Sequence, residues 1–516
     1  MRASGILLHI SSLPSPHGIG TMGAAAKDFV DFLVKAGQAY WQILPVCPTS
    51  YGDSPYQSFS TFAGNPYFID LDLLAKVGLL QPEEYESIDW ESTPGCVNYG
   101  ALYQKRYAVL HKACARLLAA PPADYADFLA KNAFWLPDYA LFMALKDAHN
   151  GVCWQQWEEP LRRREPETLA AARAKYAADI DFWQAVQYLF YTQWHDLKAY
   201  ANAQGIEIIG DLPIYVAEDS VDVWSCPQEF QLDENLVPTE VAGCPPDGFS
   251  ATGQLWGNPL FDWDAMAANG YAWWVRRIRH LCGIYDVLRI DHFRGFAGYY
   301  AIPYGDKTAE NGRWRTGPGY ALFAAVKKEL GSPRIIAEDL GFLTDDVRAL
   351  LKECAYPGMK VLEFAFDSRD GGDYRPHSYP TNCIAYTGTH DNEPVDGWFG
   401  TALPDDIERA IQYLNLTKEE GMNWGMMRGI WSSVADLAVV QAQDVLGLGH
   451  EARMNTPATL GGNWCWRALP GAFTPELAQK LHDAMELYGR LPEEPAAEPD
   501  ETEKSEDAEK AAEPKT

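Results

Sequence analysis

The sequence predicts an α/β protein: a (β/α)8 barrel with largely helical insertions between its strands and no β-sandwich after them. Three observations point there. Short apolar runs alternate with amphipathic helical stretches, which is the pattern of parallel crossover units. Three separate runs, within 286–295, 334–341 and 382–392, each deliver a carboxylate at the C-terminal end, where functional groups gather in such barrels. A chain of 516 residues has room for one elaborated barrel. The barrel is expected over 1–490, with insertions over about 70–205 and about 217–280 and a disordered acidic tail over 491–516.

Taken in order, residues 5–10 read as a buried strand running into the proline-broken turn 11–16. Phe29, Val30, Leu33 and Val34 recur at helical spacing, and Ala36-Gly37 is a plausible stop. Residues 40–46 supply the second strand. A loop of small polar and aromatic residues over 49–58 follows, and from about 70 to 205 the pattern is helical, with Phe182, Val186, Leu189 and Phe190 on one face. The strand pattern resumes at 205–216. The segment 244–259, with its prolines, glycines, Phe249 and Trp256, reads as a shaped, mobile lid. Helices over 271–280 and 320–330 lead into the strands that end near Asp291 and Glu338. Further strands are expected at 359–366, at 382–388 and, as the eighth, near 453–460.

Composition narrows the partners. Hydrophobic residues make up 47% of the chain and tryptophan alone occurs 18 times, enough for a large core and for flat rings on which a sugar face can stack. The formal charge is −29, and from Pro492 onward ten acids meet three lysines. That balance excludes nucleic-acid backbones and anionic membranes as partners and favours a neutral substrate. Ten cysteines are scattered without a C-x-x-C, as in a reduced cytoplasmic protein, and the N-terminal apolar run is too short for a signal peptide. No cofactor fingerprint or metal-ligand cluster is present, so neither a cofactor nor a metal is expected.

The candidate site begins with residues 286–295. On a strand, Arg289 and Asp291 face one side while Leu288 and Ile290 face the other, and an adjacent guanidinium favours the ionised acid. Glu338 follows the apolar run Ile335-Ile336-Ala337, surroundings that disfavour its charged form and suit a proton donor. One charged and one protonated carboxyl are what retaining glycosidic chemistry requires.

With the motifs Gly52-Asp-Ser-Pro-Tyr-Gln-Ser58, Gly210-Asp-Leu-Pro-Ile214, Arg289-Ile-Asp-His-Phe-Arg-Gly295, Ala337-Glu-Asp-Leu-Gly341, Gly388-Thr-His-Asp-Asn392 and Arg453-Met-Asn-Thr-Pro457 in this order, the chain resembles the 4-α-glucanotransferases, or amylomaltases, of the α-amylase superfamily. The resemblance implies an enzyme that passes a segment of a 1,4-α-glucan to glucose or a maltooligosaccharide through a covalent intermediate. It implies Asp291 as nucleophile, Glu338 as general acid/base and Asp391 as transition-state stabiliser. Arg289 would hold Asp291 ionised, and His390 and Asp211 would bind sugar hydroxyls. Phe249 and Trp256 would line the acceptor side with Tyr56, and Tyr51 would belong to a second, remote glucan surface. Ser54, His292 and Asn463 are further implied contacts. A retaining α-glucan hydrolase shares the three carboxylates, and no residue spacing separates the two. The lack of a sandwich after Leu460 favours the transferase. A non-catalytic glucan-binding protein would lack one of the acids, and none is missing.

Overall fold

Eight short strands form one parallel sheet: β1 (Ala3–Leu7), β2 (Tyr40–Gln42), β3 (Glu207–Leu212), β4 (Val287–Ile290), β5 (Ile335–Ala337), β6 (Gly358–Val361), β7 (Cys383–Tyr386) and β8 (Leu437–Gln441). The computed structural model describes residues 2–246, 250–341, 343–369, 374–459 and 461–493. Hydrogen-bonded neighbours run β6-β7-β8-β1-β2-β3-β4-β5. The two ends of that row meet where the Ala337 N–H donates to the Pro357 carbonyl at 2.9 Å. Asp339 fastens the same seam by accepting from the Met359 N–H at 2.6 Å. The result is the expected (β/α)8 barrel.

The strands are short and sealed on both faces; β4, β7 and β8 are buried at every position. Parallel strands covered by helices read as unbroken apolar runs rather than alternating ones. Close approach also shapes the sequence. A Cβ on Gly210 in β3 would come within 2.2 Å of the Tyr285 ring, so only glycine fits there. Helices Ala24–Lys35, Ala272–Ile284, Tyr320–Leu330, Asp345–Cys354 and Met422–Trp431 intervene between strands, and Pro475–Leu487 packs on the first of them.

The insertion between β2 and β3 is helical as expected. Trp183 on Ala177–Ala203 joins its helices, meeting Tyr107 of Tyr99–Ala119 at 5.5 Å and Tyr139 of Leu136–Ala148 at 6.2 Å, both edge to face.

Two expectations need correction. The eighth strand is Leu437–Gln441, not 453–460. A doubly buried five-residue run carries no alternation to announce itself, whereas the polar motif at 453–457 sits in a loop. The region after β3 also contributes more than helices and a lid. Strands Glu240–Cys244 and Gln254–Pro259 pair with Gly298–Pro303 and Arg313–Thr316 from the segment after β4, forming a four-stranded antiparallel sheet. Val241, Tyr300, Ile302 and Ala309 give that sheet a small core of its own. The centre of the expected lid, including Phe249, lies outside the described residues, as does the tail from 494 onward. No helix among the described residues is long and apolar enough to cross a membrane.

Candidate active site

Register places the first polar contact. β3 and β4 pair so that Asp211 lies beside Arg289. The buried guanidinium of Arg289 donates to Asp211 Oδ2 at 2.5 Å and to Asp291 Oδ1 at 3.0 Å. From sequence, one cation faces one acid; in the fold it is shared between two.

Beyond Ile290 the chain turns sharply. His292 adopts a left-handed φ of 51°, a conformation costing a bulky residue about 1–2 kcal/mol. That turn points its N–H at Glu338 Oε2, 2.7 Å away, while the Leu340 N–H reaches Oε1 at 2.7 Å. The Glu338 N–H donates to the Ile290 carbonyl, and the Phe293 N–H returns to the Glu338 carbonyl at 3.0 Å. The tips carrying Asp291 and Glu338 are therefore laced together by backbone.

Burial raises the pKa of both acids above the ordinary carboxylate range. For Asp291, Arg289 opposes burial, while Asp211, Glu338 and Asp391 add to it. Asp291 keeps 29% of its side chain accessible, so hydration offsets part of that penalty, and it alone of the pair touches the guanidinium. Glu338 is 9% exposed, and among the described residues no cation hydrogen-bonds to it; Arg289 and the N–H groups of Leu340 and His292 partly offset the rise from burial.

Asp391 stands five residues beyond β7. Asn392 makes the local turn, its Oδ1 accepting from the N–H and the hydroxyl of Thr389, both at 2.9 Å, which leaves the Asp391 carboxylate free to face outward. Asn455 Nδ2 donates to Asp391 Oδ1 at 2.7 Å, and His390 Nε2 lies 3.5 Å from the same oxygen. Arg453 ties these stretches together, donating to the Asp391 carbonyl, the Asn455 carbonyl and Glu393 Oε1 at 2.6–2.8 Å.

Tyr56 joins this side to Asp211. Its hydroxyl donates to Asp211 Oδ2 at 2.7 Å, and its ring stacks on His390 at 5.0 Å and 16°. Trp464 leans on both rings, at 5.7 and 5.9 Å. Burial lifts Tyr56 far above the usual phenol range and pushes His390 down, so the first stays a hydroxyl and the second a neutral imidazole. Asp211 Oδ1, buried, has no hydrogen-bond partner among the described residues. An acceptor left so costs about 1–3 kcal/mol unless a ligand hydroxyl or water satisfies it.

Trp256 meets His292 edge-on at 4.8 Å, and burial takes that imidazole down to about 3. Ser54 and Asn463 play local parts: Ser54 Oγ accepts from the Tyr56 N–H at 3.2 Å, and Asn463 Oδ1 accepts from the Thr456 N–H at 3.0 Å. Tyr51 stands apart, 76% exposed, its hydroxyl on the Gly151 carbonyl. Asn455, Arg453 and Trp464 are site residues that the residue-level reading missed. The motif 453–457 was the available signal for the first two; nothing in the sequence marks the contacts of Trp464.

Carboxylates on three strand tips, one sharing an arginine and one sealed beside it, define a glycoside-processing (β/α)8 barrel. The comparisons name the group within that class. The family model described as 4-alpha-glucanotransferase matches residues 8–471. The chain is 50% identical to the 4-alpha-glucanotransferase of Clostridium butyricum over 485 residues, 94% of this chain and 100% of that one. The Thermus thermophilus enzyme of the same name is 47% identical, with 95% and 99% covered. The amylomaltase of Streptococcus agalactiae, solved with acarbose, superimposes with a TM-score of 0.93 at 43% identity, covering 95% of this chain and all of that one. The chain belongs to the 4-alpha-glucanotransferase family and is an enzyme that transfers α-glucan segments.

Proposed function

We propose that Asp291 is the nucleophile, Glu338 the acid/base and Asp391 the stabiliser of a retaining transfer between 1,4-α-glucans. Asp291 attacks the anomeric carbon as Glu338 gives its proton to the departing glycosidic oxygen, leaving a glycosyl ester on Asp291 and a free glucan end. The 4-hydroxyl of glucose or a maltooligosaccharide then attacks that carbon, its proton passing to Glu338 as the ester opens. The observation that carries this is the laced pair, with Arg289 touching Asp291 and not Glu338. Asp391 and neutral His390 hold the sugar at the cleaved bond, Asp211 takes a hydroxyl on its unpartnered oxygen, and Tyr56 and Trp256 pack on sugar faces. Ser54 and Asn463 contribute by shaping the loops around it, and Tyr51 serves a separate glucan contact.

Ten free cysteines among the described residues support a reducing compartment such as the cytoplasm. The test is a product profile from maltotriose. The wild-type protein yields glucose and a ladder of longer maltooligosaccharides, while Asp291→Asn and Glu338→Gln each lower kcat by at least about 10⁴-fold. A steady rise of reducing ends without a ladder, or full activity in either variant, defeats the proposal.

A further inference from the structure

The four-stranded sheet presents a tryptophan to the turn after Asp291 from each of its two edge strands. On Gln254–Pro259, Trp256 meets His292. On Arg313–Thr316, at the opposite edge, Trp314 carries the Arg294 guanidinium 4.2 Å from its ring centroid. Three strand intervals separate these edges, roughly 14 Å. Arg294 also lies within the field of Glu338. The two rings therefore flank one turn, and that turn is the one bonded to the Glu338 carboxylate.

Trp314 is 47% exposed although it sits in a strand. Tyr300 meets it edge-on at 5.3 Å, and Arg294 covers one face. Its ring is held before any ligand arrives, so little conformational freedom is left to lose on contact. A half-exposed indole held in this way suits the apolar face of a pyranose better than a free surface side chain does.

We infer that Trp314 is a stacking platform for the acceptor glucan, at sugar units beyond those reached by Trp256, and that it sets a preference for longer acceptors. This rests on Glu338 being the acid/base. Its carboxyl must sit at the oxygen that leaves with one glucan and arrives with the next, so the side of the site next to Arg294 is the acceptor side. Glucose is too short to reach the second ring; a maltooligosaccharide spans the sheet.

The experiment fixes the donor as α-maltosyl fluoride and varies the acceptor between glucose and maltotetraose, measuring transfer products by chromatography. Trp314→Ala raises KM for maltotetraose about tenfold and leaves KM for glucose within about twofold, with kcat unchanged. Trp314→Phe, which keeps a ring, restores most of the difference. Equal losses with both acceptors, or no loss with either, overturn the inference. Should the alanine variant fail to fold, Trp314→Leu, apolar but without an aromatic face, carries the same two outcomes. Full-rate transfer to both acceptors by Glu338→Gln would remove the basis of the inference, and does so without touching Trp314.

Discussion

Two groups of acids lie at the strand tips, one behind the other, and the same residue types serve opposite ends. In the front group, Asp211, Asp291, Glu338 and Asp391, the first two share Arg289, and Asp291 and Asp391 stay partly open, at 29% and 46% of their side chains. The rear group, Glu363, Glu393 and Asp444, is at most 8% exposed. Asp444 accepts from the Thr387 hydroxyl and the Val395 N–H, and Glu363 Oε1 has no hydrogen-bond partner among the described residues. Burial raises Glu363 far above the carboxylate range and Asp444 to about 7. What separates the groups is access: Asp291, the proposed nucleophile, and Asp391 stay partly open, whereas the rear acids are buried. Asp444, whose neutral form burial favours, holds the loop 387–396 in place through Thr387 and Val395, whereas Asp291 keeps part of its side chain in solvent beside Arg289.

The sharpest way to break that contrast is to remove the cation. Arg289→Leu leaves Asp211 buried beside Asp291 with no counter-charge, and breaking a buried pair on one side costs about 3–5 kcal/mol. Activity should fall about 10²–10³-fold, the loss typical of one preorganised electrostatic contact. Denaturant unfolding and maltotriose turnover measure the two effects; a variant as stable and active as the wild type would show that Arg289 does not organise the front group.

The rear group predicts a smaller, pH-dependent effect of the opposite sign. The fold favours the neutral form of Asp444, so its contribution is complete below about pH 4 and is lost as pH rises through about 7. Asp444→Asn removes that loss. Its melting temperature should match or trail the wild type at pH 5 and exceed it at pH 8, by an amount corresponding to about 2–4 kcal/mol. Turnover changes little, because Asp444 touches the loop and not the substrate groove. Calorimetry at both pH values decides it; a constant difference across pH would mean that Asp444 stays charged in the fold.

How much of this was legible from sequence follows from range. Asp291, Glu338 and Asp391 each close a local apolar run, so strand periodicity and barrel logic find them. Arg289 is two residues from Asp291, and alternation alone puts them on one face. Its second partner, Asp211, is 78 residues away, and only the register of β3 against β4 reveals that the cation is shared. The rear group was invisible for the same reason: Glu363, Glu393 and Asp444 come from three elements that meet only in the closed barrel. The antiparallel sheet was missed because its partners lie on either side of β4.

Asn455 tests the finest link between the two groups, since Arg453 binds Glu393 of the rear group and the Asp391 carbonyl of the front one. Asn455 sits where that clamp ends. Its amide is 2.7 Å from Asp391 Oδ1, and its carbonyl accepts from Arg453. Asn455→Ala removes one hydrogen bond to a carboxylate that is nearly half accessible, worth about 1.5 kcal/mol, and water can replace only part of it. The expected result is about a tenfold drop in kcat with KM for maltotriose within about twofold, because the backbone clamp of Arg453 survives and only the aim of Asp391 is lost. Steady-state kinetics with one defined oligosaccharide reads this directly. A rise in KM at constant kcat would instead place Asn455 among the groups that bind the ground-state sugar.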